Sequence, residues 1–199
     1  MCALMVATRG MFHRNLTLDD AGVHRGKTLV AWDDIDHYRY DCQDWSRASD
    51  FVLVTRSAQL IRISPVFDQW QVVAERILRE LHPRLRAGAY FDPFGFDDAA
   101  LVHRSLGRLP LADLVRLELA FAGSSMVAVV HARDAGEWTQ VDTSDIANLW
   151  LWLEQLADRG IAIDSPVPLH LPPVLTRLAD WIAAERGLPR ATVIPPRRR

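Results

Sequence analysis

Several stretches of the chain have the pattern expected of strands, and residues 35–40 alternate with a period of two, as in a half-buried strand. In the first half these stretches are 35–40, 51–56 and 59–63, and in the second half they are 115–121, 126–131 and 137–141. Turn residues separate the runs, with Ser57-Ala58 in the first half and Gly123 and Gly136 in the second. The pattern therefore predicts that each half forms an antiparallel sheet with a long first strand.

Apolar residues recur at helical spacing once after each group of strands. The first stripe is Trp70, Val73, Ala74, Ile77, Leu78 and Leu81, and the second is Ile146, Leu149, Trp150, Leu153 and Leu156. We expect Asp68 to cap the first helix and Pro83 to end it. For the second helix, Thr143 or Ser144 is the expected cap, and Gly160 the expected left-handed end.

A duplicated segment becomes visible when residues 16–35 are laid over residues 94–114. The matches are Asp19-Asp20 with Asp97-Asp98, Val23-His24-Arg25 with Val102-His103-Arg104, and Asp34-Ile35 with Asp113-Leu114. Because each match is followed by the same order of strands and a helix, the sequence indicates two copies of one unit.

The first copy combines an Asp-Asp turn, a short strand and the segment Ala31-Trp32-Asp33-Asp34-Ile35, and it resembles bacterial PH-like domains. The second copy matches from about residue 90 to 158, with Leu111 where the first copy has Trp32. The resemblance implies an α+β, mainly β fold of two tandem PH-like units. Each would be a bent antiparallel sheet or partial barrel capped by its C-terminal helix. Such folds serve as binding scaffolds and are rarely catalytic, so function is expected in loops and exposed faces.

These observations divide the chain into a first PH-like unit at 12–84, a second at 89–160, a connector and C-terminal helix at 161–188, and a basic flexible tail at 189–199. The third helix has an apolar stripe made of Val174, Leu178, Trp181 and Ile182. That stripe must be buried against a unit of the same chain or against a second chain.

Composition narrows the classes of function. The 199 residues are 49% hydrophobic and 24% charged, which indicates a soluble globular protein. Cys2 and Cys42 are the only cysteines and lack metal-ligand spacing, so we expect neither a disulfide framework nor a zinc site, and a reduced cytoplasmic setting. The net charge of −2 gives no reason to expect nucleic acid as a partner.

Charge is unevenly distributed between the two halves. Residues 1–88 have 12 basic and 11 acidic side chains, a net charge of +1, and residues 89–189 have 7 basic and 14 acidic ones, a net charge of −7. The acidic second half would repel anionic lipid, and Lys27 is the only lysine. The second half is better suited to a basic protein surface or to the basic tail of the chain itself.

No catalytic, metal or cofactor site is predicted. The Asp pairs stand where hairpins need turn residues, and His24 and His103 are interpreted as strand-surface residues. The side chains of Asp33, Asp34, Asp36 and His37 would alternate between two faces of a strand and so would not converge on a metal. The Gly123-Ser124-Ser125 turn with His131 lacks the sharp elbow of a hydrolase nucleophile.

Tryptophan and arginine supply the candidate partner-binding residues. Trp45 and Arg47 stand on a polar hairpin loop, where they either contact a partner or, for Trp45, pack back onto the sheet. Trp152 is out of phase with the core stripe of the second helix. It is therefore expected to pack against the third helix or against a partner.

The function that the sequence favours is a non-catalytic protein–protein interaction module, in which self-association is also an option. The alternative is a peripheral membrane module that binds anionic lipid through the first unit and the arginines Arg197, Arg198 and Arg199. An enzyme with a site between the units ranks last, because no motif supports it.

Overall fold

Antiparallel strands make up most of the structure. The computed structural model describes residues 4–6, 16–41, 50–63, 70–88, 90–123 and 125–164. The strands are β1 (Leu4–Val6), β2 (Leu16–Leu18), β3 (Gly22–Arg25), β4 (Thr28–Ala31), β5 (Ile35–Asp41), β6 (Asp50–Thr55), β7 (Leu60–Ile63), β8 (Phe94–Phe96), β9 (Ala100–His103), β10 (Gly107–Pro110), β11 (Leu114–Ala122), β12 (Ser125–Ala132), β13 (Gly136–Asp142) and β14 (Ala162–Asp164). The α-helices are α1 (Trp70–Leu85) and α2 (Leu149–Asp158).

The strands of the described residues form four small sheets, none of which closes into a barrel. Their orders are β1-β2-β3-β4, β5-β6-β7, β10-β9-β8 and β13-β12-β11-β14. Every pairing is antiparallel except that of β11 with β14. The predicted mainly β class is therefore confirmed.

The same order of elements occurs in both halves of the described chain. Short antiparallel strands are followed by a tight turn at 32–34 or 111–113, then by a sheet that begins with a long strand, then by a helix. Equivalent backbone hydrogen bonds recur around the two turns. Trp32 N donates to Ala21 O in the first half, and Leu111 N donates to Ala99 O in the second. In the same way, Arg56 N donates to Asp34 O, and Arg133 N donates to Asp113 O. The pairing register also shifts at the same place, between Ile35 and His37 in β5 and between Leu114 and Arg116 in β11.

Helix α1 continues past Pro83 and ends at Leu85, so the prediction that Pro83 ends it is wrong. Proline lacks only its own backbone N–H bond and clashes with the turn before it. Here Pro83 lies two residues before the end of the helix, and a 3-10 helix at Arg86–Gly88 follows it. Asp68, the predicted cap, lies outside the described residues.

Helix α2 begins later than predicted. Residues Thr143–Asp145 form a separate 3-10 helix, in which the Asp142 side chain accepts a hydrogen bond from Ser144 N. Helix α2 starts after Asn148, whose backbone is left-handed with φ 52° and ψ 44°. The predicted caps Thr143 and Ser144 therefore belong to the preceding turn. At the other end Gly160 has φ 77°, as predicted for a left-handed end.

Asn148 connects the two halves through buried hydrogen bonds. Its Oδ1 accepts from Tyr38 N at 3.1 Å, its backbone N donates to Tyr38 O at 2.9 Å, and its Nδ2 donates to Tyr90 O at 2.9 Å. The hydroxyl of Tyr38 also accepts from Trp150 N, and burial raises the pKa of that hydroxyl far above its usual value. Strand β5 is thus tied directly to the start of α2.

A single hydrophobic cluster contains buried residues from both halves. The two helices meet where His82 Nε2 lies 2.8 Å from Glu154 Oε2, and both side chains are almost fully buried. After α2 the chain adds β14 to the edge of β11 in parallel, a strand that the sequence does not predict. This strand places residues 162–164, expected in the connector, within the second sheet.

Candidate functional site

The predicted site residues differ in whether the structure describes them. Trp45, Arg47 and the arginines at 197–199 lie outside the described residues, and so does the predicted third helix. Their proposed roles stay predictions. Trp152 is described, but the third helix, one of its two predicted contacts, is not.

Trp152 is a core residue. Its side chain is 0% exposed, and its ring stacks on that of Phe94 with centroids 4.5 Å apart and planes 16° from parallel. The neighbouring residues Leu151 and Leu153 are buried as well, so α2 is covered on more than one side. The structure therefore corrects the partner-binding interpretation, because the indole has no surface with which to contact a partner.

The paired aspartates act as turn residues, as predicted. Asp19 Oδ1 accepts hydrogen bonds from the backbone N–H groups of Ala21 and Gly22, and Asp97 Oδ1 accepts from that of Ala99. The bond from Ala21 is the main reason that the pKa of Asp19 is lowered, with His24 adding to it. These contacts are the side-chain-to-backbone bonds for which turns favour Asp.

The acidic cluster at the start of β5 does not converge on one point. Asp33 pairs with Arg84, and His37 Nδ1 lies 2.8 Å from Asp36 Oδ2. Among the described residues, no group of three or more His, Cys, Asp or Glu side chains is placed to hold a metal ion.

The outer face of the β5-β6-β7 sheet carries side chains that are not among the predicted partner-binding residues. The cross-strand partners His37, Val54 and Leu60 form one row, and Arg39, Val52 and Arg62 form the next. The intervening residues, among them Tyr38 and Leu53, point into the core. Because side chains alternate between the faces of a strand, both rows lie on the side away from the core.

These two rows line a groove with a volume of about 360 Å³, which we call the β5–β7 groove. Its lining residues are His37, Arg39, Val52, Val54, Leu60, Arg62 and Ser144. Ser144 comes from the 3-10 helix before α2, so the second half of the chain forms one wall. Leu60 is 60% exposed, whereas Val52 and Val54 are half-buried.

The polar groups of the β5–β7 groove are held in place by neighbouring contacts. His37 is largely buried and donates from Nδ1 to Asp36, while Arg39 Nε approaches His37 Nε2 at 3.5 Å. The imidazole also packs against Tyr90, with ring centroids 5.6 Å apart. Ser144 is oriented by Asp142, whose Oδ1 accepts from both the backbone N and the hydroxyl of Ser144. The described lining residues therefore supply two guanidinium groups, three aliphatic side chains, an imidazole and a hydroxyl, with no carboxylate among them.

The corresponding face of the second sheet has a different chemistry. The second sheet has two rows at the places of the two rows in the first sheet. The row that corresponds to Arg39, Val52 and Arg62 consists of Glu118, Val129 and Gln140. The row that corresponds to His37, Val54 and Leu60 consists of Arg116, His131 and Glu137. Glu118 is held by His131 at 3.0 Å and by Arg116 at 3.3 Å. The second sheet therefore has no arginine on either side of Val129, and it has a glutamate where the first sheet has Leu60.

Part of the β5–β7 groove can be predicted from the sequence, but the prediction needs both the face of each strand and the register between strands. Period-two alternation places His37 and Arg39 on one face of β5, and the short turn at 57–58 fixes the register of β6 with β7. The register of β5 with β6 depends on residues 42–49, a connection whose length does not determine the pairing. Without that register, the arginines of β5 and β7 cannot be placed in one row.

Neither helix in the described part of the chain is long and apolar enough to span a membrane. No protein-family model matches the chain, and no curated protein matches it. A chain in the solved structure of the Spt16D–Pob3N heterodimer aligns with 64% of this chain and 85% of its own length, at 11% sequence identity and a TM-score of 0.25. At that TM-score the alignment carries no argument about fold or function.

Proposed function

We propose that this protein is a non-catalytic protein-interaction module built from two tandem PH-like units, and that it binds its partner through the β5–β7 groove. The tandem arrangement is supported by the repeated order of elements, the equivalent backbone bonds at Ala21 and Ala99, and the register shift that follows the turn in each half. These coincidences are of the kind expected when one unit is duplicated.

The exposure of Leu60 is the observation that carries the binding proposal. A single exposed leucine is ordinary, but here it continues an aliphatic strip formed by Val52 and Val54, in which Val52 lies between Arg39 and Arg62. Protein interfaces are enriched in arginine and place apolar groups at their centres. Binding to a partner would bury this strip and retain the guanidinium groups as hydrogen-bond donors at its edge.

The side chains of the β5–β7 groove fit binding better than catalysis. Its only imidazole, that of His37, is already engaged by Asp36 on one nitrogen and lies next to Arg39 on the other. The hydroxyl of Ser144 donates to Asp142 Oδ1, which also accepts from Ser144 N, so this carboxylate caps the 3-10 helix. Aliphatic and guanidinium groups provide contact area and charge, which a binding surface needs.

A crosslinked pull-down from the organism that encodes the protein tests the proposal. Leu60→Asp places a charge in the aliphatic strip, and Val115→Asp makes the same change at an apolar residue that is 52% exposed on β11, outside the groove. We expect one dominant partner to be recovered with the wild type and with Val115→Asp, and to be lost with Leu60→Asp. Both substitutions are at exposed positions and should change the free energy of unfolding by about 0.5 kcal/mol or less.

Two outcomes would contradict the proposal. If the partner is retained by Leu60→Asp and lost with Val115→Asp, the second sheet is the binding face. If anionic lipid is recovered without a protein, the membrane alternative replaces the protein-binding one, and variants of Arg197 to Arg199 would then identify the lipid contact.

A further inference from the structure

A second depression in the surface brings aromatic rings and guanidinium groups together. It lies between the end of α2, the 3-10 helix that follows α1 and the segment 90–96, and its volume is about 420 Å³. We call it the α2–β8 pocket. Its aromatic and polar lining residues are Tyr90, Phe91, Phe94 and Phe96, and Arg86, Gln155 and Arg159. The described lining residues include no carboxylate.

From this combination we infer that the α2–β8 pocket binds a small aromatic carboxylate, at a site separate from the β5–β7 groove. The carboxylate would accept hydrogen bonds from Arg159, and the ring of the ligand would cover Tyr90. The volume of the pocket is within the range of small-molecule sites, about 300–1,000 Å³. Such sites combine apolar walls with a few polar groups that orient the ligand.

Arg159 presents the edge of its guanidinium that binds carboxylates. Its Nη1 donates to Gln155 O at 2.8 Å and to Gln155 Oε1 at 2.6 Å, and the guanidinium lies over the Phe96 ring, 4.3 Å from the centroid. These contacts hold the group in one orientation. Its Nε and Nη2 have no hydrogen-bond partner among the described residues. The N–H bonds of Nε and Nη2 point in the same direction, so together they can bind both oxygens of a carboxylate.

The charges around the pocket favour a ligand with one negative charge. Arg86 Nη2 lies 3.5 Å from Glu154 Oε1, so an acidic side chain of the protein already offsets the charge of Arg86. The described contacts of Arg159 are with an amide, a backbone carbonyl and an aromatic ring, none of which is anionic. The adjacent Asp158 does not line the pocket. One guanidinium without an anionic partner matches one carboxylate, whereas a phosphate monoester brings almost two charges.

Tyr90 provides the apolar contact for the ligand. It is 48% exposed, whereas Phe91 and Phe94 are 6% and 5% exposed. Phe94 stacks on Trp152, and Phe91 packs edge-to-face on Phe96 with centroids 5.8 Å apart, so neighbouring rings hold both in place. A ligand ring on the exposed part of Tyr90 would form the offset or edge-to-face contact that aromatic pairs favour.

Nuclear magnetic resonance of the isotope-labelled full chain tests the inference, because arginine Nε–H groups give their own signals. The probes are benzoate, phenylacetate and phenylpropionate, which differ in the distance between ring and carboxylate. We expect at least one of these acids to shift the Nε–H signal of Arg159, which Arg159→Lys identifies by its loss. That acid should bind at least tenfold more tightly than its own primary amide and than acetate. The comparison of ligands needs no variant for its interpretation.

Three variants supply the second arm of the test. Arg159→Gln should weaken binding of the acid at least tenfold and leave binding of its amide unchanged. Tyr90→Ser should weaken binding of the acid and the amide alike. The matched control is Arg25→Gln, which changes an exposed arginine at the end of β3 outside the pocket, and it should change neither affinity more than about twofold. All three positions are exposed, so the melting temperature should stay close to that of the wild type.

Three results would overturn the inference. The first is an amide that binds as tightly as its acid, and the second is the absence of any shift of the Arg159 Nε–H signal with all three acids. The third is phenyl phosphate binding more tightly than every acid, which would assign the pocket to a doubly charged ligand. Leu60→Asp should leave acid binding unchanged, because Leu60 does not line this pocket. Failure of the inference is thereby distinguished from failure of the proposed function.

Discussion

Replacing Asn148 with alanine should destabilise the whole protein, because this side chain joins the two halves. Asn148 is fully buried, and its side-chain amide bonds to the backbones of Tyr38 and Tyr90. Alanine at this position would leave Tyr38 N and Tyr90 O without those partners. It would also have to adopt the left-handed backbone conformation that asparagine tolerates better.

The size of the effect follows from three contributions. An unpaired buried N–H at Tyr38 costs about 1–3 kcal/mol, and the partly buried carbonyl of Tyr90 costs about 1 kcal/mol, the lower end of the same range. The left-handed backbone adds about 1–2 kcal/mol for alanine. We therefore expect Asn148→Ala to lower the free energy of unfolding by about 3–6 kcal/mol. Asn148→Gly avoids the backbone cost and should lose about 1–2 kcal/mol less.

Urea denaturation followed by far-ultraviolet circular dichroism measures both variants against the wild type. The expected order of stability is wild type, then Asn148→Gly, then Asn148→Ala. An alanine variant within about 1 kcal/mol of the wild type would refute the account of Asn148 as the polar connection between the halves. Equal stabilities for the glycine and alanine variants would refute the backbone contribution alone.

Three further substitutions test separate parts of the structure. Trp152→Ala should cost about 3–5 kcal/mol in the free energy of unfolding, because it empties a buried ring position; an unchanged melting temperature would contradict this. Gly22→Ala should be more destabilising than Gly26→Ala, because a Cβ at 22 would overlap the carbonyl oxygen of Val30, whereas one at 26 meets open space. The reverse order of stabilities in urea denaturation would contradict the close approach of β4 to Gly22. Burial, together with a neighbouring guanidinium, lowers the pKa of His103 below 6.5 in the folded state. The unfolded chain therefore binds a proton at His103 at a higher pH than the folded protein does, and the free energy of unfolding falls as pH drops from about 7 to about 5. His103→Asn should remove part of that fall. An unchanged dependence of stability on pH would contradict the lowered pKa of His103.

Local turn chemistry and strand periodicity account for the features that could be predicted from the sequence. Asp19 and Asp97 bond to backbone N–H groups two residues on, which is a property of the residue and its nearest neighbours. The turn at 57–58 fixes a hairpin register over a few residues, and Gly160 adopts the left-handed conformation expected of a glycine after a helix. Each of these features is decided within a short segment of the chain.

Features that depend on distant partners were not predictable in the same way. Asn148 is left-handed because its side chain and backbone bond to Tyr38, which is 110 positions away in the sequence. The partner of β14 is β11, and no local pattern in residues 162–164 specifies that parallel pairing. Trp152 is out of phase with the stripe of its own helix and stacks on Phe94, a residue of β8 near the start of the second half. A helical periodicity argument considers one neighbouring surface and so misassigns such a residue.

The candidate site falls between these two cases. Alternation alone indicates which residues of β5 and β7 share a face, but the β5–β6 pairing brings Arg39 to Val52 and thereby to Arg62. Ser144 enters the groove only because Asn148 attaches the second half to β5. The binding face is therefore a product of long-range register and of contact between the halves.

Site-specific photocrosslinking inside the organism that encodes the protein is the most direct test of the β5–β7 groove as the binding face. A photoreactive phenylalanine derivative would replace Leu60 in one variant and Val115 in the other, both of which are exposed apolar positions. We expect one discrete protein adduct after irradiation of the Leu60 variant and none with the Val115 variant. An adduct formed only through position 115, or an equal adduct at both positions, would contradict it.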